Sequence, residues 1–366
     1  MITAADRLGM APDELDALEG GHVIPNVTQL RNMANKYGIS FSALLMPEPL
    51  PPATRLKVDD FRTVEGGAAR WTPDLMSMLD EVNLVIDGLA DIRDAAPAEF
   101  RAMDLPRATS GTRPEVVAEV ERERLKFNVD MQLGMRTPAE AFRHFRTLIE
   151  ESGVFVYVMA AGTVDDWRGL AVYDERQVPV IIINGDEPKP EARLFTLFHE
   201  YYHLLLRLTG ISDERGGSAT ERLCNRFAAH FLMPVDRFTA EARLVNGGHR
   251  SWDLRDVRML AERFHVSLTA VAIHLEEIGL APDGFGRQVM SMLSRPPRRK
   301  GGGGPDYYEK MANRFGSRHF DVVFRALDAG ALDRIEAYEL TTVQPENFAR
   351  MRAEVAERRA AYGWPT

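Results

Sequence analysis

Hydrophobic residues recur at helical spacing along most of the chain, and only a short central region departs from this pattern. The longest regular stripe lies in 74–93, where apolar residues return every three or four positions, as they do on the buried face of a helix. The same periodicity predicts helices over 11–19, 28–37, 114–133 and 138–152. Such stripes are typical of helix packing, and we assign no chemistry to them.

Three short runs in the middle of the chain follow the pattern of strands instead. They are Val154–Met159, Gly169–Tyr173 and Val178–Ile183, and the polar segment 174–177 predicts a hairpin between the last two. A long helix follows from Pro190 to near residue 210. The pattern therefore predicts an α+β fold that is mainly α, with a small sheet beside one long helix. An edge strand next to that helix would hold an extended peptide by main-chain pairing.

Helical periodicity returns after this core and continues to the end of the chain. Helices are predicted over 219–233, as a pair within 254–280, and over 307–330 and 333–362, with a basic, glycine-rich loop at 295–305. These changes divide the chain into four predicted segments, which are a partial helix-turn-helix domain at 1–50, a helical connector at 51–136, the sheet-containing domain at 137–294, and the glycine-rich loop with C-terminal helices at 295–366.

The first 50 residues resemble the second part of a phage-repressor-type helix-turn-helix domain that lacks its first helix. The helix 11–19 would be the one offered to the major groove. It carries four acidic residues and no Lys or Arg, so DNA phosphates would repel it. We therefore interpret 1–50 as a structural or partner-binding remnant whose direct DNA binding is weak.

Composition limits the possible classes of function. The chain has 366 residues, 45% of them hydrophobic, and 45 Lys and Arg against 54 Asp and Glu give a net charge of −9, so it has no general attraction to nucleic acid. The single cysteine, Cys224, suits a reducing compartment. There is no long apolar run and no basic, apolar leader. We expect a cytoplasmic protein without membrane contact, and the oligomeric state stays open.

The long helix predicted from Pro190 carries the most informative motif, Phe198-His-Glu-Tyr-Tyr-His203. Positions four apart share one helix face, so His199 and His203 can reach the same cation, while Glu200 points to the edge of that face. Two neutral nitrogen ligands and a nearby carboxylate are what a zinc hydrolase needs. The apolar residues on both sides indicate that this helix is buried, where such a cluster needs a partner.

A third metal ligand should come from a neighbouring helix. Glu221 is favoured because it lies near the start of the next predicted helix, and its competitors are Asp213, Glu214 and His230, with Cys224 as a softer candidate.

An oxyanion formed during hydrolysis would also need a hydrogen-bond donor. Tyr202, His230 and His249 are the candidates, and the sequence does not choose among them.

Two phrases together carry a specific resemblance. Arg-x-Phe-Thr-Leu-x-His-Glu-x-x-His-Leu-Leu-Leu at 193–206 and Glu-x-x-x-Asn-x-Phe-Ala-Ala-x-Phe-Leu-Met-Pro at 221–234 resemble the ImmA/IrrE family of metallo-endopeptidases, in the version fused behind an XRE-type helix-turn-helix domain. The resemblance implies a zincin-like minimal core. The residues that it implies are the metal ligands His199, His203 and Glu221, the general base Glu200, and the helix-positioning residues Asn225, Phe227 and Pro234. Departures at Tyr201-Tyr202, Cys224 and His230 leave this ligand set intact and put the substrate pocket in doubt.

The same resemblance implies a function. Members of the family cleave helix-turn-helix repressors and so relieve silencing of stress-response or mobile-element genes. We therefore expect a regulatory, site-specific endopeptidase that uses Zn²⁺, or Mn²⁺ or another divalent ion, and takes such a repressor as its protein substrate. The alternative is a metal-binding transcription regulator or antitoxin-like partner protein without proteolytic activity.

Overall fold

The computed structural model describes residues 5, 8–37, 44, 59–60, 72–102, 105–109, 111–164, 166–208, 210–212, 219–249, 251–293 and 306–361. The chain divides into two compact units. The first contains 1–56 with 76–83, and the second contains 57–75 with 84–366. None of the helices formed by the described residues has the length and apolar composition needed to span a bilayer.

The first unit contains two of the predicted helices, α1 (Pro12–Glu19) and α2 (Val27–Tyr37). Its small core combines residues of both helices with preceding ones, namely Ala5, Leu8, Leu15 and Met33. All four acidic side chains of α1 are exposed. The 1–50 helix-turn-helix assignment itself stays a prediction.

The remaining elements follow in chain order. They are β1 (Asp59–Asp60), α3 (Pro73–Ala95), α4 (Pro97–Phe100), α5 (Pro114–Arg124), α6 (Val129–Gly134), α7 (Pro138–Glu151), β2 (Phe155–Met159), β3 (Gly169–Val172), β4 (Val180–Asn184), α8 (Pro190–Leu205), β5 (Gly210–Ser212), α9 (Ala219–Leu232), α10 (Val235–Asn246), α11 (Leu254–Phe264), α12 (Leu268–Glu277), α13 (Phe285–Met292), α14 (Tyr307–Asp328), α15 (Arg334–Thr341), a 3-10 turn (Pro345–Asn347) and α16 (Phe348–Ala360).

The sheet has the strand order β1-β5-β3-β4-β2. β3 and β4 form the predicted antiparallel hairpin, with Gly169 opposite Ile183, while β2 runs parallel to β4 with Phe155 opposite Val180. The residues of β3 and β4 are buried throughout, because α8 packs against these two strands. The predicted α+β, mainly α class and the three central strands are confirmed.

Two predicted helices are broken in the structure. The prediction of one helix over 114–133 is wrong, because Lys126 adopts a left-handed backbone with φ of 54° between α5 and α6. The prediction of one helix over 333–362 is also wrong, since Thr342 has φ of 57° and Pro345 follows it. A left-handed residue ends a helix whatever the apolar spacing around it. The pair within 254–280 is confirmed as α11 and α12. The four-segment domain division stays a prediction.

Candidate metal centre

Helix α8 is anchored at its start and buried along its length. Pro190 occupies the first turn, where its fixed φ and missing N–H suit a helix. Arg193 donates from Nη2 to the Gly185 carbonyl at 2.8 Å and from Nε to the Glu187 carbonyl at 2.7 Å. The guanidinium group therefore ties the helix to the loop that leaves β4. From residue 196 to residue 205 all side chains are buried.

Aromatic side chains align α8 with α9. Phe198 stacks on Phe231 with ring centroids 4.1 Å apart, and Tyr202 stacks on Phe227 at 4.6 Å. The two contacts are separated by four residues on α8 and by four residues on α9, and their order along α9 is reversed. The two helices are therefore antiparallel. This register brings the beginning of α9, which carries Glu221, beside the end of α8.

The two histidines and Glu221 form a small triangle. Nε2 of His199 lies 3.2 Å from Nε2 of His203, and each of these nitrogens is 3.1 Å from one carboxylate oxygen of Glu221. Ligands about 2.0–2.1 Å from a tetrahedral Zn²⁺ lie about 3.3 Å from one another. The triangle therefore fits one divalent ion.

Asn225 fixes the orientation of one of these rings. Its Oδ1 lies 2.8 Å from Nδ1 of His199 and accepts the hydrogen of that nitrogen. The other nitrogen, Nε2, then keeps its lone pair toward the triangle, which is how a hydrogen bond to the outer nitrogen orients a ligating histidine.

The charge states of the triangle suit a cation. Burial lowers the pKa of His203, so its imidazole is neutral at pH 7. Burial alone would raise the pKa of Glu221, but its close contacts with the His199 and His203 rings outweigh burial and lower this pKa to about 2. The site thus holds a carboxylate and two imidazoles. Burial raises the pKa of the nearby Cys224 thiol, which makes it a weaker candidate than Glu221.

The Glu200 side chain lies against the backbone of β3 at Gly169. A Cβ added to Gly169 would stand 2.3 Å from Oε1 of Glu200. Only glycine leaves room for the carboxylate here. The sequence did not single out Gly169, because the contact joins residues that are distant along the chain.

The other predicted site residues are not gathered at the triangle. His230 follows Glu221 by nine residues, which is two and a half turns of α9, so it lies about 13 Å further along and on the opposite helix face. His249 is exposed after α10. Tyr202 is buried with its ring on Phe227. Asp213 and Glu214 lie outside the described residues.

The pattern predicted an edge strand next to the long helix, but β3, the strand beside Glu200, is not at the edge of the sheet. β5 pairs antiparallel with β3, placing Ser212 opposite Gly169 and Gly210 opposite Ala171, and β1 continues the sheet beyond β5. A strand of three residues carries no periodic signal, which is why β5 was not predicted. His199, Glu200, His203 and Glu221 are each 1% exposed or less, so the centre is closed.

Comparison with known proteins identifies the domain that contains the centre. Residues 149–276 match the family model Peptidase_M78, described as the IrrE N-terminal-like domain. The matched segment includes the hairpin, α8 and α9, and therefore all four residues of the centre. The resemblance to the ImmA/IrrE metallopeptidases is confirmed for this segment. No curated protein matches the chain.

Proposed function

We propose that the chain is an endopeptidase that depends on a divalent metal. His199, His203 and Glu221 hold the ion, and Glu200 is the general base. The observation that carries the proposal is the triangle of 3.1–3.2 Å between the three ligating groups, with Glu200 on the same helix. Two histidines and a glutamate are a ligand set of catalytic zinc, which makes Zn²⁺ the first choice and Mn²⁺ the second.

The roles of the side chains follow from their positions. Bound at the triangle, the ion supplies Lewis acidity toward a water molecule and a peptide carbonyl. Glu200 takes a proton from the attacking water on its carboxylate and returns it to the leaving amine. Asn225 holds the hydrogen of His199 Nδ1, so that Nε2 stays directed at the ion. Gly169 leaves the space in which the Glu200 carboxylate stands.

The proposed substrate is a helix-turn-helix repressor, and the proposed setting is a stress-response or mobile-element switch in the cytoplasm. This part of the proposal rests on the family resemblance. The burial of all four residues adds a physical condition, because an extended peptide reaches Glu200 only after part of the chain moves. Displacement of β5 from β3 would meet this condition and would expose the edge needed for main-chain pairing.

The test compares wild type with Glu200→Gln after metal loading. Both proteins are incubated with the repressor encoded beside the gene. Glu200→Gln should keep its metal and lose cleavage by roughly 10²- to 10⁴-fold, the usual contribution of a positioned proton acceptor. The exposed Glu175 gives the control variant Glu175→Gln, which should cleave like wild type. Unchanged specific cleavage by Glu200→Gln would sink the mechanism.

Metal analysis tests the ligand set separately. His203→Ala and Glu221→Ala should each lose the metal from this centre. The Cys224 thiol lies within 4.8 Å of a ligand atom of each histidine, but Cys224→Ala should keep the metal, because the two histidines and Glu221 already supply three ligands. Full metal retention by Glu221→Ala would remove Glu221 from the set.

The closed site also favours a second function, that of a metal-binding regulator or antitoxin-like partner without proteolysis. A buried ion could hold α8 and α9 together without meeting a substrate. This function predicts one metal per centre, no cleavage of any repressor, and tight binding to DNA or to a partner protein. Specific cleavage abolished by Glu200→Gln decides against it.

A further inference from the structure

A second group of metal-binding side chains lies outside the centre. His230 belongs to the last turn of α9, while His274 and Glu277 are three residues apart on α12. That spacing places the last two on one helix face. One potential ligand atom from each of the three lies within 4.8 Å of the others. The group thus combines two imidazoles and a carboxylate, the same donor types as the centre on α8.

This group is separate from the first centre. His230 is two and a half helical turns from Glu221, on the opposite face of α9, so one ion cannot contact both. The rings of His230 and His274 meet edge to face at 4.9 Å, and the ring of Phe238 packs against His274 at the same centroid distance. The group is therefore part of the packing between α9, α10 and α12.

His274 is the unusual member of the group. It is 0% exposed. Among the described residues neither ring nitrogen makes a hydrogen bond of normal geometry, and the one backbone contact is with Met233, which raises the pKa of the ring without outweighing burial. A buried polar group without a full hydrogen bond is unfavourable, so a ligand that satisfies it stabilises the fold. Burial, followed by the nearby His230, lowers the pKa of His274 to about 4, so the ring is neutral at pH 7. A neutral imidazole with a free lone pair is ready to bind a metal.

Glu277 gives the group its negative charge. Its Oε1 lies 3.2 Å from Nε2 of His230 and also contacts Arg226 Nε. The Arg226 side chain is 46% exposed, so it can withdraw into solvent when a cation takes its place. Because Glu277 is itself partly exposed, an ion can reach the group from the surface.

We propose that His230, His274 and Glu277 bind a second transition-metal ion such as Zn²⁺, and that this ion joins α12 to the last turn of α9. Zinc ligands lie about 3.3 Å apart, so the side chains draw together on binding. The ion satisfies a ring nitrogen of His274 that none of the described residues satisfies. Its role is to stabilise the packing of α9, the helix that carries Glu221, and the proposal does not depend on proteolysis.

Titration of metal-free protein with Co²⁺ tests the proposal through stoichiometry and the visible absorption of the bound ion. Wild type should bind two equivalents, and His274→Gln should bind one. Glu277→Gln, at a partly exposed position, should fold normally and bind the second equivalent at least about tenfold more weakly. The proposal is overturned if both variants bind Co²⁺ like wild type.

A variant that lacks the first centre separates this proposal from the proposed function. His199→Ala/His203→Ala should still bind one equivalent of Co²⁺, and adding His274→Gln should abolish that binding. If the folded double variant binds none, the second site does not exist. The control is His319→Gln, which changes a fully buried histidine whose ring nitrogens both have protein partners. It should leave both equivalents in place, and loss of either one would contradict the assignment to His274.

Discussion

Gly169 and Glu200 form a contact that depends on the missing side chain of Gly169. The carboxylate of Glu200 occupies the position that a Cβ of residue 169 would need. Any larger residue at position 169 therefore moves the carboxylate of Glu200, the proposed base, while the metal ligands on α8 and α9 keep their places. The contact offers a way to disturb proton transfer without touching the metal.

Gly169→Ala should lower kcat by about 100-fold or more, at the lower end of what general base catalysis contributes. The added Cβ would stand 2.3 Å from Oε1 and 2.7 Å from Cδ of Glu200, so the carboxylate must turn away. Bound metal should stay at the wild-type level, which elemental analysis measures beside the cleavage rate. Gly134→Ala is the control, since no atom of the described residues lies within 4 Å of its added Cβ. Wild-type cleavage by Gly169→Ala would show that Glu200 does not act from this position.

The residues of the centre differ in how far the sequence could predict them. His199, Glu200 and His203 share one helix, so their spacing alone placed them together. Glu221 was inferred from its place near the start of the next helix. The contact of Gly169 with Glu200 exists only once β3 lies on α8, and no local pattern encodes it. His230 could be given only as one of several alternative ligands or donors for the same reason, because packing decides which helix face meets the centre.

Helix α14 is broken at Gly316, where φ is 76° and ψ is 171°. This conformation is open essentially to glycine alone. The second half of the helix begins at Ser317, whose N–H donates to Glu150 Oε2 at 2.9 Å. Arg146 donates to the other oxygen of Glu150 at 2.9 Å. A buried ion pair on α7 therefore caps the break and joins α14 to the rest of the second unit.

Gly316→Ala should destabilise this unit by at least about 3 kcal/mol. The backbone strain costs about 1–3 kcal/mol, and the new Cβ would stand 1.9 Å from Oε1 of Glu150. Disrupting a buried ion pair adds about 3–5 kcal/mol. Urea unfolding measures the loss.

Gly330→Ala separates strain from the steric clash. Gly330 also has a positive φ, 71°, but within the described part of the chain no atom lies within 4 Å of its added Cβ. Its substitution should cost only about 1 kcal/mol. Equal losses for Gly316→Ala and Gly330→Ala would mean that the Glu150 ion pair is irrelevant to the break.

The elements themselves were predictable where the hydrophobic pattern is long and ends with a clear signal. α7 and α8 begin at Pro138 and Pro190, and the structure starts them there. The pattern failed where apolar spacing continues across a left-handed residue, as at Lys126 and Thr342. β1 and β5 were missed because strands of two or three residues exist only through their pairing.

Buried histidines link the stability of the second unit to pH. His319 is fully buried, and its Nε2 donates to the Leu340 carbonyl at 3.0 Å, while its Nδ1 accepts from the Tyr157 hydroxyl at 3.1 Å. This arrangement requires the neutral ring. Burial accordingly lowers the pKa of His319 from 6.5 to about 4. His274, whose pKa is lowered in the same direction, adds to the effect.

Stability should therefore fall as the solution is acidified. The unfolded chain binds a proton at His319 below pH 6.5 and the folded chain only below about pH 4. The stabilisation from the neutral ring is complete above pH 6.5 and is lost between that pH and about 4. The loss is on the order of 3 kcal/mol, at about 1.4 kcal/mol for each unit of pKa.

His319→Gln should remove the part of the pH dependence of unfolding free energy that His319 contributes, as measured by urea unfolding between pH 7 and pH 4.5. The exposed His249 gives the control His249→Gln, which should keep the wild-type slope. If His319→Gln keeps it too, His319 is not the residue that links folding to pH.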